Sequence, residues 1–136
     1  MPKLRLILLL FSILIFSESN LRSQTIVFVE KYYHDSTLKE KYQVKIFTND
    51  SIKQGDYSYY YPAGKVMQEG FFVDDKPDSI WINYYRTGAR KSLFNYKYGK
   101  KIGPFTIWDE GGSLYQTGTY KNNLLEGVLT TYHPNG

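Results

Sequence analysis

The sequence contains no cysteine, and this absence excludes several classes of protein at once. Without cysteine there is no disulfide framework, no thiolate nucleophile and no zinc site built on sulfur. Histidine is also scarce: only His34 and His133 could titrate near neutral pH, and neither has a partner set by the local sequence. No motif marks a nucleophile, an acid–base pair or a set of metal ligands. We therefore expect a non-catalytic protein without a cofactor or metal.

Long apolar runs are also few. The run Leu6–Phe16 has 11 residues, too short for a membrane-spanning helix of about 20. Lys3 and Arg5 precede it, and serines follow it at a small-x-small cleavage position. This arrangement predicts a signal peptide over residues 1–23 and hence an exported protein, periplasmic or secreted. The net charge of +4 is too small to imply a polyanionic partner by itself.

Aromatic residues and glycine, by contrast, are abundant, and from residue 55 onward both recur every 24 residues. Each repeat has two glycine positions and three aromatic positions. These are Gly55, Ser79, Gly103 and Gly127; Gly64, Gly88, Gly112 and Gly136; Tyr57, Trp81 and Phe105; Tyr60, Tyr84, Trp108 and Tyr132; and Phe72, Tyr96 and Tyr120. A fixed period in this range indicates a stacked-repeat architecture.

Each 24-residue unit is interpreted as two short strands and two turns. The first turns, such as residues 62–65, carry glycine near their end, which supplies the positive φ that a tight hairpin needs. The second turns, such as residues 74–77, are polar. We predict an all-β fold: an elongated, single-layer antiparallel β-meander of hairpin repeats over residues 55–136, with three full repeats and a half.

Residues 24–54 look strand-like but are out of phase with this period. Thr25–Val29 is rich in β-branched residues, and Tyr42–Phe47 alternates, so both predict strands. The segment Tyr32–Leu38 resembles Tyr60–Val66 but lies 28 residues before it. We therefore predict N-terminal strands and a degenerate repeat that caps the array.

Glycine weakens a strand, so the glycines within the predicted strands need an explanation. A ring laid over a cross-strand glycine covers the bare backbone. We place the centre of the first turn on the residue pair ending in Gly64 and that of the second turn between Asp75 and Lys76. This placement predicts five pairs of this kind, one of them with Ser79 in the glycine position. They are Tyr57–Gly70 and Phe105–Gly118 across first turns, and Phe72–Ser79, Tyr96–Gly103 and Tyr120–Gly127 across second turns. The two aromatics of each first strand are three residues apart, so either both faces carry rings or a bulge separates them.

These residues resemble the MORN-repeat variant family of bacterial proteins, often labelled YwqK-like antitoxin components. The resemblance covers residues 55–136 and implies an elongated single sheet used for protein or membrane contacts, without catalytic residues. It is carried by Gly103-x-Phe105-x-x-Trp108-x-x-Gly111-Gly112-x-Leu114 and by Gly118-x-Tyr120-x-x-Asn123-x-x-x-Gly127-x-Leu129-x-x-Tyr132. The second full repeat departs from the pattern at Ser79, Arg90 and Phe94 and is therefore the irregular one.

The second repeat also has an unusual charge distribution. Between Ser79 and Trp108 there is no acidic residue, whereas Arg86, Arg90, Lys91, Lys97, Lys100 and Lys101 are basic and rings lie between them. Such a pattern suits an anionic partner. Export argues against nucleic acid and favours an acidic protein, an anionic glycan or a lipid headgroup. Alternatively, these are solvated turn charges that protect open sheet edges. The candidate binding surface comprises Trp81, Tyr84, Tyr85, Arg86, Arg90, Lys91, Tyr96, Lys97 and Tyr98.

Three functions remain open from the sequence. The leading hypothesis is an exported binding or scaffold module that contacts a protein or an envelope component through an exposed aromatic sheet face. The second is a cell-surface carbohydrate-binding repeat protein, whose rings would stack on sugars. The third is an antitoxin-like inhibitor of a protein toxin, which the family label suggests. In addition, Leu129–Tyr132 would form an edge strand that could pair with a partner strand or with a second copy.

Overall fold

The computed structural model describes residues 25–48 and 50–133 as nine β-strands in one open sheet. The strands are β1 (Thr25–Tyr32), β2 (Leu38–Ile46), β3 (Ser51–Tyr60), β4 (Val66–Val73), β5 (Lys76–Tyr84), β6 (Arg90–Lys97), β7 (Lys100–Trp108), β8 (Leu114–Lys121) and β9 (Leu124–Thr131). Each strand pairs antiparallel with the next in the chain. The predicted all-β, single-layer meander is confirmed.

The N-terminal segment contributes two strands to the same sheet. The predicted signal peptide, residues 1–23, lies outside the described residues. Within the described ranges, no helix has the length and apolar character required to cross a membrane.

The first turn of each repeat is closed by the same two backbone hydrogen bonds. In the turn after β3, the Tyr61 N–H donates to the Lys65 carbonyl and the Gly64 N–H donates to the Tyr61 carbonyl, both at 2.8 Å. The same pattern closes residues 33–37, 85–89 and 109–113. Gly64 has a φ of 80°, and Ser36 adopts 69° at the corresponding position after β1. The turn between β1 and β2 therefore has the geometry of a repeat turn, although it is out of phase in sequence.

The second turn of each repeat contains only two residues, and both have positive φ. Asp74 (47°) and Asp75 (62°) form the first of these turns, and Tyr98–Gly99 and Asn122–Asn123 are its equivalents. This is the type I′ hairpin, whose twist matches the flanking strands and which favours Asp, Asn and Gly. The predicted centre between Asp75 and Lys76 is wrong by one residue, since Val73 pairs directly with Lys76.

The pairing of rings with glycines follows from these turns. The two pairs predicted across first turns, Tyr57–Gly70 and Phe105–Gly118, are confirmed. The three predicted across second turns are wrong, because the shifted centre places Phe72, Tyr96 and Tyr120 opposite Pro77, Lys101 and Leu125. The same rings lie opposite repeat-opening residues across first turns instead, in the pairs Gly55–Phe72, Ser79–Tyr96 and Gly103–Tyr120.

The repeat-opening glycines have a further role, which is to form a β-bulge. The φ values of Gly55, Ser79, Gly103 and Gly127 are 113°, 62°, 64° and 75°. In β5 the bulge places residues 79–81 opposite the single residue Gly70, between the pairs Phe71–Asp78 and Glu69–Ile82. Positive φ is the conformation that glycine adopts without steric cost. The bulge therefore explains the glycine period, and Ser79 adopts the same conformation in the irregular repeat.

One face of the sheet carries two groups of rings, here together called the aromatic face. Tyr57, Phe72, Trp81 and Tyr96 form one group, and Phe94, Phe105 and Tyr120 form the other, with centroid distances of 5.0–6.3 Å within the groups. Among the described residues, the buried hydrophobic side chains are Val27, Val44, Trp81 and Phe105. Because no second layer covers the sheet in the described part of the chain, these rings form its core by covering each other.

The opposite face carries rings as well. The Tyr84 hydroxyl donates to the Glu69 carboxylate. Glu69 alternates along β4 with Gly70, which Trp81 covers, so Tyr84 lies on the face opposite to Trp81. The structure bears out both alternatives left open by the three-residue spacing. Rings lie on both faces, and a register shift also falls between the two aromatics of each first strand, at Tyr59/Tyr60, Asn83/Tyr84 and Ile107/Trp108.

Each two-residue turn is also bonded to the strand that precedes its hairpin. The Asp75 N–H donates to the Lys53 carbonyl at 3.0 Å, and the Asp75 carboxylate accepts the Lys53 N–H at 2.7 Å. Asn123 makes the same two bonds to Lys101, at 3.0 and 2.7 Å. In the middle repeat, the Asp78 carboxylate accepts the Tyr98 N–H at 2.8 Å. These bonds attach each two-residue turn to the strand before its hairpin, in addition to the ladders between neighbouring strands.

Replacing Gly70 with alanine tests the packing of the aromatic face. A Cβ at this position would overlap the Trp81 indole. We expect Gly70→Ala to lower the free energy of unfolding, measured by urea denaturation, by about 1–3 kcal/mol. Gly111→Ala is the control, because the one neighbour of its added Cβ within 4 Å is the Asp109 carboxylate at 3.3 Å, whereas the Cβ added at Gly70 overlaps a ring. Equal losses in the two variants would contradict the packing role of Gly70.

Asp78 provides a test of the turn bonds through pH. The Tyr98 N–H lowers the pKa of this buried carboxyl; burial opposes the effect, and Ser79 and Lys97 reinforce it. A carboxyl whose pKa is lower in the folded state stabilises the fold above its unfolded pKa, and this contribution is lost as pH falls through the folded value. We expect Asp78→Asn to lower the free energy of unfolding at neutral pH by about 1 kcal/mol.

The acid dependence supplies the second measurement for this variant. Below about pH 4, the free energy of unfolding should fall less steeply in Asp78→Asn than in the unmodified protein. Asp75→Asn is the matched control, because Asn123 makes the equivalent bonds without a charge. The role of Asp78 would be refuted by unchanged stability at neutral pH together with an unchanged acid slope.

Candidate binding surface

The antiparallel fold divides the nine predicted surface residues into three groups. Tyr84, Tyr85, Arg86, Arg90 and Lys91 lie at the β5–β6 turn. Tyr96, Lys97 and Tyr98 lie at the other end of β6, and Trp81 lies within β5. The two ends of β6 are separated by roughly 24 Å, from a rise of about 3.4 Å per residue. The basic residues are therefore close in sequence but form two separate regions.

Trp81 is not exposed, which corrects the expectation that it belongs to an open binding surface. Only 6% of its surface is accessible, because it packs over Gly70 and against Tyr57, Phe72 and Tyr96. Its indole N–H donates to the Phe71 carbonyl at 3.2 Å. Both the ring and its polar atom are thus used within the sheet, and Trp81 is a core residue.

Tyr85 belongs to a row of tyrosines that ties the first turns together. Its hydroxyl donates to the Trp108 carbonyl at 2.9 Å, bridging the ends of β5 and β7. Tyr33 and Tyr61 make the corresponding bonds to the carbonyls of Tyr60 and Tyr84, at 2.6 and 2.8 Å. We call this end of the sheet the tyrosine-row end. The repeating tyrosine was visible in the sequence, but its carbonyl partner depends on strand order.

The basic side chains of the β5–β6 turn lie apart from the carboxylates in the described part of the chain. Arg86, Arg90 and Lys91 are exposed, and none of them forms an ion pair with any carboxylate of residues 25–48 and 50–133. The Arg86 guanidinium lies 5.5 Å from the Tyr61 ring centroid, and Lys91 Nζ lies 5.5 Å from that of Tyr85. These cation–π contacts orient the cations without neutralising them. We call Tyr85, Arg86, Arg90 and Lys91 the basic turn surface.

Tyr84 lies at the end of β5, beside Arg90 of the basic turn surface. Burial raises the pKa of its phenol, the hydrogen-bonded Glu69 raises it further, and the adjacent Arg90 opposes the shift. Tyr84 therefore donates its proton to Glu69 while lying beside the Arg90 guanidinium. This contact links Arg90 to β4 through two side chains.

At the other end of β6 the charges are largely compensated. Lys97 Nζ lies 3.8 Å from the Asp78 carboxylate, and Lys76 Nζ lies 3.8 Å from the centre of the Tyr98 ring. The neighbouring turn supplies two further acids, Asp74 and Asp75. The predicted residues Lys97 and Tyr98 therefore lie in a mixed-charge environment, unlike the residues of the basic turn surface.

A polar cluster on the aromatic face was not anticipated from the sequence. Burial alone would raise the pKa of Glu40, but Lys31 and Lys53, with Nζ–Oε distances of 2.9 and 3.5 Å, hold it below its usual value. Burial, reinforced by Glu40, raises the pKa of Tyr57 far above its usual value. Lys53 also lies 4.6–5.1 Å from the ring centroids of Tyr42, Tyr57 and Phe72. The cluster covers the end of the aromatic face at Tyr57 and Phe72.

One signal in the sequence could have revealed part of this cluster. Lys53 and Lys101 are two periods apart, and Lys101 likewise lies 4.5 Å from the Phe94 ring centroid and 5.1 Å from that of Tyr120. Pro77 occupies the intervening position. Lysine over rings is thus a feature of alternate repeats.

The described residues contain no cluster of three or more His, Asp or Glu side chains arranged to hold a metal ion. The surface residues offer charged guanidinium and ammonium groups and phenol rings.

Comparison with known proteins agrees with the repeat. The family model described as MORN repeat variant matches residues 53–74 and 101–122, two segments separated by two periods. They correspond to the β3–β4 and β7–β8 hairpins with their following turns, and the irregular repeat between them is not matched. No curated protein and no solved structure matches the chain. The match describes the repeat and carries no antitoxin designation. It supports a repeat-based binding or scaffold module.

Proposed function

We propose that this protein is an exported binding module that holds an acidic protein through the basic turn surface. The observation that carries the proposal is the group of three neighbouring cations, Arg86, Arg90 and Lys91, without a carboxylate partner in the described part of the chain. Elsewhere in the described sheet, five lysines lie within 4.0 Å of a carboxylate: Lys31, Lys41, Lys53, Lys97 and Lys121. Uncompensated cations on a surface steer and select a partner of opposite charge.

The sheet presents this surface in a prearranged form. The turn of residues 85–89 is closed by two backbone hydrogen bonds, and Tyr85 attaches it to β7. Tyr61 and Arg86 connect it to the preceding turn. Because the backbone of the turn is already ordered, little conformational entropy is lost there on binding. This is the physical advantage of a scaffold built from repeated hairpins.

The burial of the rings on the aromatic face argues for a protein partner rather than a carbohydrate. Stacking on a sugar requires a ring with a free face, whereas Trp81 and Phe105 are 6% and 3% accessible and are covered by neighbouring rings. Tyrosine and arginine at the turn, in contrast, are the residue types enriched at protein interfaces. An antitoxin-like inhibitor would be one form of the proposed module, with a toxin as its acidic partner.

Charge reversal tests the proposal with poly-L-glutamate as the probe. We expect the Arg86→Glu, Arg90→Glu, Lys91→Glu variant to bind it at least about tenfold more weakly, a change of about 1.4 kcal/mol, in fluorescence anisotropy at constant salt. The control reverses three exposed lysines at the other end of the strands, Lys76, Lys100 and Lys121, which gives the same net charge. The control should retain most of the affinity.

Two outcomes would count against this function. Equal weakening in both variants would show that net charge, not the basic turn surface, determines binding. Stronger binding of the unmodified protein to phosphatidylglycerol vesicles than to poly-L-glutamate would assign the surface to lipid instead. Circular dichroism of each variant checks that the sheet is retained.

A further inference from the structure

Tyr84 lies between two opposite charges at the tyrosine-row end of the sheet. Its hydroxyl donates to the Glu69 carboxylate on β4. Across the β5–β6 ladder, Tyr84 pairs directly with Arg90, whose guanidinium lies beside the same phenol. Within the described part of the chain, no ion pair joins Glu69 to Arg90. One hydroxyl group thus separates a carboxylate from a guanidinium.

This pair of charges is peculiar to the irregular repeat. At the position of Arg90, the neighbouring repeats have Val66 and Leu114. At the position of Glu69, the next repeat has Leu93. Apolar contact with the aromatic side chain of the strand end accounts for the uncharged versions. Opposite charges on either side of one tyrosine need a different explanation.

The strand order leaves the two charges within reach of each other. β4 and β6 flank β5, so their backbones are separated by roughly 10 Å, twice the spacing of neighbouring strands. The extended side chains of glutamate and arginine together span such a distance. Another side chain at this end of the sheet also bridges alternate strands, because the Tyr61 hydroxyl reaches the Tyr84 carbonyl. Without an intervening group, Glu69 would therefore pair with Arg90 and neutralise it.

The phenol has the chemistry that keeps these charges apart. A tyrosine hydroxyl both donates and accepts hydrogen bonds, whereas a carboxylate only accepts and a guanidinium only donates. Burial and the hydrogen-bonded Glu69 raise the pKa of Tyr84 above its usual value, so the phenol keeps its proton at neutral pH. Glu69 thus receives a neutral donor, and the phenol oxygen faces Arg90 without cancelling its charge.

We infer that Tyr84 is a positioning residue of the basic turn surface, whose hydroxyl occupies Glu69 and so leaves Arg90 available to an acidic partner. The consequence for binding rests on the proposed function, whereas the separation of the charges is a property of the free protein. All three side chains belong to β4, β5 and β6, each of which is paired along both edges. Their relative positions are therefore set by the ladders on either side.

Hydrogen exchange in the free protein tests the separation of the charges. Tyr84→Phe keeps the ring and removes the hydroxyl, so Arg90 should pair with Glu69. We expect exchange of the Arg90 Nε–H, measured by NMR, to slow by about two- to fivefold, the range of an exposed ion pair. Adding Glu69→Gln should restore the faster exchange. Tyr60→Phe is the matched control, because Tyr60 has the same place in its strand and pairs with the uncharged Val66.

The same variants measure the consequence for binding, with poly-L-glutamate as the probe at constant salt. We expect Tyr84→Phe to bind about two- to fivefold more weakly than the unmodified protein, because one of three cations is neutralised. Combining it with Glu69→Gln should recover the affinity, and Tyr60→Phe should leave it unchanged. Glu69→Gln alone measures the general effect of removing one acid, and the recovery must exceed that effect.

The two measurements distinguish the role of Tyr84 from the proposed function. Unchanged exchange of the Arg90 Nε–H in Tyr84→Phe would overturn the role of Tyr84. Weaker binding that Glu69→Gln fails to restore would also overturn it, because the hydroxyl would then be only structural. Slower exchange with unchanged binding would uphold the separation of the charges and contradict the proposed function at Arg90. Circular dichroism confirms that each variant retains the sheet before the comparison.

Discussion

The contact of rings across neighbouring strands is the interaction on which this sheet depends. A single-layer sheet has no second layer to cover its apolar side chains, so the residues of one face must exclude water from each other. Trp81 illustrates the solution: it lies over Gly70, contacts three rings and bonds its indole N–H to the backbone. Glycine makes this possible by allowing the ring to approach the backbone closely. Each ring contact adds about 0.5–1.5 kcal/mol to area burial, so many are required.

Part of the architecture could be predicted because it is local and periodic. The first turns carry glycine at a fixed place, and their centre determines the confirmed pairs Tyr57–Gly70 and Phe105–Gly118. The second turns were harder, because Asp and Asn do not mark one position within a polar run as clearly as glycine does. A shift of one residue moved three predicted ring partners to the other hairpin, which shows how strongly register depends on turn geometry. The bulge at Ser79 was also hidden, since serine is not the residue expected at positive φ.

The candidate surface was less predictable than the fold, for a related reason. In an antiparallel meander, a continuous basic segment extends from one end of a strand to the other. Arg90 and Lys97 are therefore close in sequence but lie at opposite ends of β6. Exposure was equally difficult to infer. The same period that identified Trp81 as a repeat aromatic also places it in the centre of the ring group, where it is buried. Periodicity thus identifies structural positions, but a departure from it does not by itself mark a surface residue. Ser79 adopts the bulge conformation of the glycines and Phe94 packs against Phe105, whereas Arg90, in place of Val66 and Leu114, is exposed.

In a sheet built from repeats, interior and terminal strands offer different groups to a partner. Interior strands have both edges paired, so they can offer only side chains and turns to a partner, as the β5–β6 hairpin does with Arg86, Arg90 and Lys91. A terminal strand offers its backbone in addition, and a ladder of backbone bonds is indifferent to most side chains on its outer edge. Specificity at such an edge must come from direction, charge and the faces that the strands bring together.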